Sequence, residues 1–295
     1  MMTPESPGSR CVDARRPTRR GRWPLSRIVG AASGRRAWLV GVAALIVVVV
    51  VGVVAWPHLQ RYVGTAPPRQ VDEPIGVVLP ASAADRVLGI AHNAGNNLGT
   101  LRAAVSNGAD AVEIDVIAAR GHLVAGRAHQ PWPGLARQLF RGPSLEDAWD
   151  AAGGARLVKL DLKQSDPAFL DQVVAFLSPR ASSRAVMVSS PDRAAPLLLH
   201  HRVPTVALYY SVANPAAIDR LESDPTLVSM LAGVSAFQGL VDPNVLGWAH
   251  AHGLKVIAWT VDSGPRLAQL VGLGVDGITS ANLAVLRALA TTSRP

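Results

Sequence analysis

The sequence predicts a (β/α)8 barrel of the TIM type, preceded by a single N-terminal transmembrane helix. Three observations carry this prediction. From residue 87 onward, eight short apolar runs alternate with eight helical patterns within about 210 residues. Polar and ionisable residues gather at the ends of these runs: His92, Glu113 with Asp115, Asp161 with Lys163, Ser189 with Ser190, and Trp259. Residues 37–56, AWLVGVAALIVVVVVGVVAW, contain no charge. A doubly wound open sheet is the alternative arrangement of such units, but no glycine-rich phosphate loop of the dinucleotide type follows the first run.

Taken in order, the 295-residue chain opens on a basic tail. Residues 1–36 hold nine arginines against Glu5 and Asp13, and are rich in Pro, Ser and Gly, a composition that predicts disorder. They account for the formal charge of +8, because the remaining 259 residues hold twenty basic and nineteen acidic side chains. A basic run beside an apolar segment is the ordinary mark of a membrane protein's cytoplasmic flank, so no nucleic-acid partner is expected. As a helix, residues 37–56 would span about 30 Å, the thickness of a hydrocarbon core. Trp38 and Trp56 stand near its two ends, where interfacial aromatics belong. No small-x-small cleavage site follows Val54, which favours an uncleaved anchor over a signal peptide. The arginines place the N-terminus in the cytoplasm and the rest of the chain outside, as a single-pass protein of the cell membrane. Residues 57–80, with five prolines, read as a semi-rigid linker, and 81–295 as the folded domain. Cys11 is the only cysteine, which excludes a disulfide framework and a thiolate metal cluster.

Within the domain, strands are expected over 87–92, 111–117, 157–162, 185–189, 205–210, 234–238, 256–261 and 276–279. Helices are expected over 98–107, 144–152, 167–177, 193–201, 215–231, 243–252, 265–273 and 282–290. Pro143-Ser144 with Gly153, and Asp242-Pro243 with Gly253, give the strongest start and stop signals.

The chemistry concentrates in residues 87–129. Side chains two apart in a strand share a face, so Glu113 and Asp115 project together. Two converging carboxylates flanked by His92 and His129 suit a hard divalent cation and leave an acid and a base for phosphoester chemistry. A carboxylate-dominated site favours Mg²⁺ or Ca²⁺ over zinc. His122 competes with His129 for the second histidine. His200, His201, His250 and His252 fall on helices, where surface or packing roles are expected. Residues 131–140, PWPGLARQLF, are an apolar, cationic loop; exposed Trp132, Leu135, Leu139 and Phe140 would form a lipid-facing lip.

The motifs resemble the glycerophosphodiester phosphodiesterase superfamily: AH at 91–92, GADAVEIDV at 108–116, LVKLDLK at 157–163, IAWTVD at 257–262 and LGVDGITS at 273–280. The resemblance covers the whole domain and implies a metal-dependent (β/α)8 barrel that cleaves glycerophosphodiesters to glycerol phosphate and an alcohol. It implies that Glu113, Asp115 and Asp161 are metal ligands, that Lys163 faces the phosphate, that His92 and His129 are the acid–base pair, and that Trp259 walls the pocket. Two positions depart from the pattern. The family's His-Arg-Gly reads His92-Asn93-Ala94, and its second His-Asp reads His129-Gln130, one position late. Asn93 occupies the place of a phosphate-clamping arginine but cannot neutralise charge, a task that Arg127 could assume. The short first loop and the Asp-Leu-Lys run are similar to the sphingomyelinase-D-type branch of the superfamily. The expected substrate is therefore a small phosphodiester or a lysolipid. The alternatives are phospholipase-D-like cleavage of lysolipids or sphingolipids, and a catalytically impaired barrel that binds lipid headgroups.

Overall fold

The computed structural model describes residues 38–51, 68–79, 87–127 and 140–290. The chain divides into two units, Met1–Ala55 and Trp56–Pro295. In the first, residues 38–51 are helical with nearly all side chains exposed. Those turns rise about 21 Å. Among the described residues no helix is long and apolar enough to cross a membrane. The remainder of the expected span, residue 37 and residues 52–56, lies outside the described residues.

The second unit is a closed parallel barrel. Its strands are β1 Leu88–Ala91, β2 Ala111–Ala119, β4 Leu157–Leu162, β5 Ala185–Ser190, β6 Ala207–Val212, β7 Gly233–Phe237, β8 Lys255–Trp259 and β9 Gly277–Ser280. Each pairs in parallel with the next, and β1 pairs with both β9 and β2, which closes the ring. Strand pairing follows from valine-rich runs buried on both faces, and the helices between them cover the outer face. Inside, alternate residues form an apolar floor of Ile90, Ala111, Met187, Tyr209 and Ile257. Outside, larger clusters join the strands to the helices through Val112, Ile114, Val158 and Leu160 on one side and Val234, Val256 and Ile278 on the other.

The loop aspartates of the GAD and GVD motifs tie neighbouring strands together. Asp110 accepts from Gly89 N at 2.9 Å, and Asp276 accepts from Val256 N at 2.8 Å. The caps read from sequence are present. Ser144 Oγ accepts from Asp147 N, and Asp242 Oδ1 accepts from Asn244 N and Val245 N. The single helix expected over 215–231 is instead two, Pro215–Glu222 and Pro225–Val228. Pro225 cannot continue a helix, and Asp224 starts a new one by accepting from Leu227 N at 3.0 Å.

Three further features were not foreseen. β2 runs on beyond 117 and folds back as a hairpin with β3, His122–Ala125. The turn is Arg120-Gly121, with φ of 52° and 82°, and left-handed values at both central residues match the twist of a two-residue hairpin. Phe140, expected on an exposed lip, is buried under this hairpin with Ile117, Ala119 and Val124; residues 128–139 lie outside the described residues. The described part of the linker, 68–79, is held against the barrel. Val71 N donates to Ala281 O and Leu283 N donates to Val71 O, while Ile75, Val77 and Leu79 pack on the outer core. Asn282, buried, fastens this strap: its Nδ2 donates to the carbonyls of Glu73 and Asp262, and its Oδ1 accepts from Glu73 N and Ala284 N.

Candidate active site

Strand register assembles the site. Glu113 lies beside Lys159, and Asp115 beside Asp161, which in turn lies beside Ser189. All five point inward, one layer and two layers above the apolar floor, at the C-terminal end of the barrel. A ligand oxygen from each of Glu113, Asp115 and Asp161 lies within 4.8 Å of the others. The three carboxylates on adjacent strands, with hard oxygen donors converging, are a donor set that fits one Mg²⁺ or Ca²⁺ ion. The cavity over them, about 380 Å³, is lined by His92, Glu113, Arg127, Lys159, Asp161, Lys163 and Trp259, among others.

Each carboxylate has a cationic partner. Lys163 Nζ lies 2.7 Å from Asp115 Oδ1 and also binds Asp161 Oδ2. Arg127 Nε lies 3.4 Å from Asp115 Oδ2, brought there by the hairpin, whose Gly126 N donates to Asp115 O. Lys159 Nζ lies 3.4 Å from Glu113 Oε2. Burial alone would raise the Asp161 pKa, but Lys163 and then Lys159 outweigh it and hold the carboxyl below its ordinary value. Burial alone would lower the Lys163 pKa, but Asp161 and Asp115 hold the ammonium above it. The Asp161–Lys163 pair therefore stays ionised through the neutral range.

Two asparagines set the geometry of Asp115. Asn96 donates from Nδ2 to Asp115 Oδ2 at 2.9 Å and accepts from Asp115 N at 2.9 Å. Asn93 sits at φ 54°, a left-handed conformation that asparagine tolerates better than most side chains. With its amide nitrogen turned to Asp115, it donates to Oδ2 at 3.1 Å, and its oxygen accepts from His92 Nε2 at 3.2 Å. Thr260 Oγ1 lies 3.4 Å from His92 Nδ1. The tight turn that carries both asparagines requires Gly95, where a Cβ would come within 2.3 Å of Ile114. Trp259 stands at the mouth, edge-on to Phe237 with ring centroids 5.7 Å apart.

The structure thus brings together His92, Asn93, Glu113, Asp115, Arg127, Asp161, Lys163 and Trp259. His129 lies outside the described residues. His122 is exposed on the hairpin, and His250 and His252 face Asp276 and the Trp248 carbonyl on an outer helix. Sequence reasoning missed Lys159 and Ser235. The signal for Lys159 was present: in K-L-D-L-K, residues 159, 161 and 163 alternate and so share the inner face.

No protein-family model matches the chain, and no curated protein matches it. Solved structures do. One is an Oleispira antarctica phosphodiesterase in complex with sn-glycerol-3-phosphate, with TM-score 0.56, 23% identity, and 69% of this chain covering 97% of that one. Another is a glycerophosphodiester phosphodiesterase from Parabacteroides distasonis, with TM-score 0.57, 18% identity, and 71% of this chain covering 99% of that one. The chain therefore shares the barrel fold of glycerophosphodiester phosphodiesterases. The sphingomyelinase-D-like features of the sequence draw no support from these two structures.

Proposed function

We propose that this protein is a metal-dependent phosphodiesterase acting on small phosphodiesters of the glycerophosphodiester type. The observation that carries the reading is the convergence of Glu113, Asp115 and Asp161 beside His92 and Lys163, at the end of a barrel where active sites form. A divalent cation bound there would supply Lewis-acid stabilisation of charge on the phosphoryl oxygens. Lys163, kept protonated by Asp161 and Asp115, faces the same oxygens, and Arg127 adds the positive charge that Asn93 cannot. Asn93 and Thr260 orient His92, which exchanges a proton with one of the two oxygens in the displacement. The attacking hydroxyl or water loses its proton as its oxygen joins phosphorus. The bond to the departing alcohol breaks, and that oxygen takes a proton. In this reading the second proton carrier is His129.

Membrane anchoring belongs to the same proposal. It rests on the nine arginines before residues 37–56, which would set the catalytic unit outside the cell membrane. Protease added to intact cells should then remove the barrel, and protection until lysis would refute that orientation.

The function is tested by assaying the full-length protein, in detergent, against a panel of glycerophosphodiesters and lysolipids with and without EDTA. Release of an alcohol from glycerophosphodiesters, abolished by EDTA and restored by Mg²⁺ or Ca²⁺, is the expected result. Turnover of lysolipids alone would shift the assignment to the phospholipase-D-like reaction. Cation binding with no turnover of either class would leave a headgroup-binding barrel.

A further inference from the structure

We propose that Lys159 is an internal counter-cation of the site: it neutralises Glu113 beside the other two carboxylates when no divalent ion is bound, and it weakens the site's affinity for that ion. The inference rests on reading Glu113, Asp115 and Asp161 as the cation ligands. Lys159 lines the cavity and is only 2% exposed. Its ammonium donates to Ser235 Oγ on β7 at 3.1 Å, and lies 3.4 Å from Glu113 Oε2 on β2. It thus reaches across the barrel from β4 and meets the Glu113 carboxylate, while Lys163 meets Asp115 and Asp161, and Arg127 meets Asp115.

Three carboxylates face three cations, so the group is balanced before any metal arrives. Lys163 lies at the cavity's upper part and Arg127 is half-exposed, so both have water within reach. Lys159 is far less exposed, at 2%, and its head is fixed between Ser235 Oγ and the Glu113 carboxylate. A divalent ion held by Glu113, Asp115 and Asp161 would therefore sit beside a fixed positive charge. In a largely buried site salt screens that repulsion far less than at the surface. Packing alone would not require an ammonium here, since an apolar side chain of the same length would fill the space without the cost of burying charge.

Calorimetric titration of Mg²⁺ and Mn²⁺ into the full-length protein, beside Lys159→Met and Lys159→Gln, tests the proposal. Both variants should bind the ion at least ~10-fold more tightly than wild type. Their melting temperatures in EDTA should fall below that of wild type, and saturating Mg²⁺ should raise them by more than it raises wild type. Unchanged or weaker binding in the variants overturns the proposal. So does failure of both variants to fold in saturating Mg²⁺, because the ion is required to replace the ammonium. If neither wild type nor variants bind the ions, the shared cation site and the role of Lys159 fall together. Tighter binding in the variants with no glycerophosphodiester turnover by wild type would sink the enzymatic assignment and leave the role of Lys159 standing.

Discussion

Replacing Asn96 by alanine isolates the residue that fixes Asp115. Two hydrogen bonds disappear, one from Nδ2 to the Asp115 carboxylate and one from Asp115 N to the amide oxygen, both 2.9 Å. A bond to a charged acceptor is worth about 1.5–3 kcal/mol net, and an orphaned buried donor costs about 1–3 kcal/mol. Asp115 is fully buried, so its backbone N–H has no ready substitute. Asn96 is only half-buried, and water entering the space left by its side chain will recover part of the loss. The net cost should be about 2 kcal/mol. Guanidinium unfolding of the wild type and Asn96→Ala, compared by midpoint at equal slope, measures it. Cation affinity should fall in the same variant, because Asp115 is no longer held toward Glu113 and Asp161. A stability change below about 0.5 kcal/mol, the range of neutral surface substitutions, would refute the claim that Asn96 builds this strand end.

The strap gives a second prediction. Asn282→Ala removes four hydrogen bonds to Glu73, Asp262 and Ala284, and should destabilise the barrel by at least about 3 kcal/mol, with a truncation at residue 80 losing stability as well. An unaffected melting curve in both would show that residues 68–79 contribute nothing to the fold. Tyr209 supplies a pH dependence: burial, then the charge of Asp276, pushes its hydroxyl from 10.0 up to about 12. A group raised on folding stabilises fully below its unfolded value, so about 3 kcal/mol should be lost as pH climbs from 10 through 12. Tyr209→Phe should flatten that loss, and parallel curves would contradict it. His92→Ala should lower turnover at least about 10²-fold, with partial rescue by a p-nitrophenyl leaving group if His92 is the acid. Unchanged turnover would remove His92 from proton transfer.

Much of this site was legible because strand alternation is a simple rule. Glu113-Ile-Asp115 and Asp161-Leu-Lys163 each place two polar groups on one face, and the barrel puts those faces side by side. β4 and the helix Pro167–Leu177 fall where the pattern placed them, because the Asp166-Pro167 cap and the apolar run leave little choice of boundary. What stayed hidden depended on partners distant in sequence. Alternation puts Lys159 on the inner face, but its partner Ser235 lies 76 residues on. The hairpin turn has no Asn-Gly or Asp-Gly signal, since Arg120 takes the left-handed position. The strap carries prolines that read as linker, and the partners that dock it, Ala281, Asn282 and Leu283, lie more than two hundred residues away. Phe140 looked exposed because its burial depends on the same unforeseen hairpin.

The shared cation site is the claim on which the chemistry depends, and Asp115→Asn tests it most directly. The substitution keeps the shape of the side chain and removes the charge at the centre of the carboxylate group, next to Lys163 and Arg127. Calorimetric titration of Mg²⁺ and Ca²⁺ into wild type and variant, beside a turnover assay on the same samples, should show binding and activity lost together. Unchanged affinity for both ions in Asp115→Asn would contradict the account.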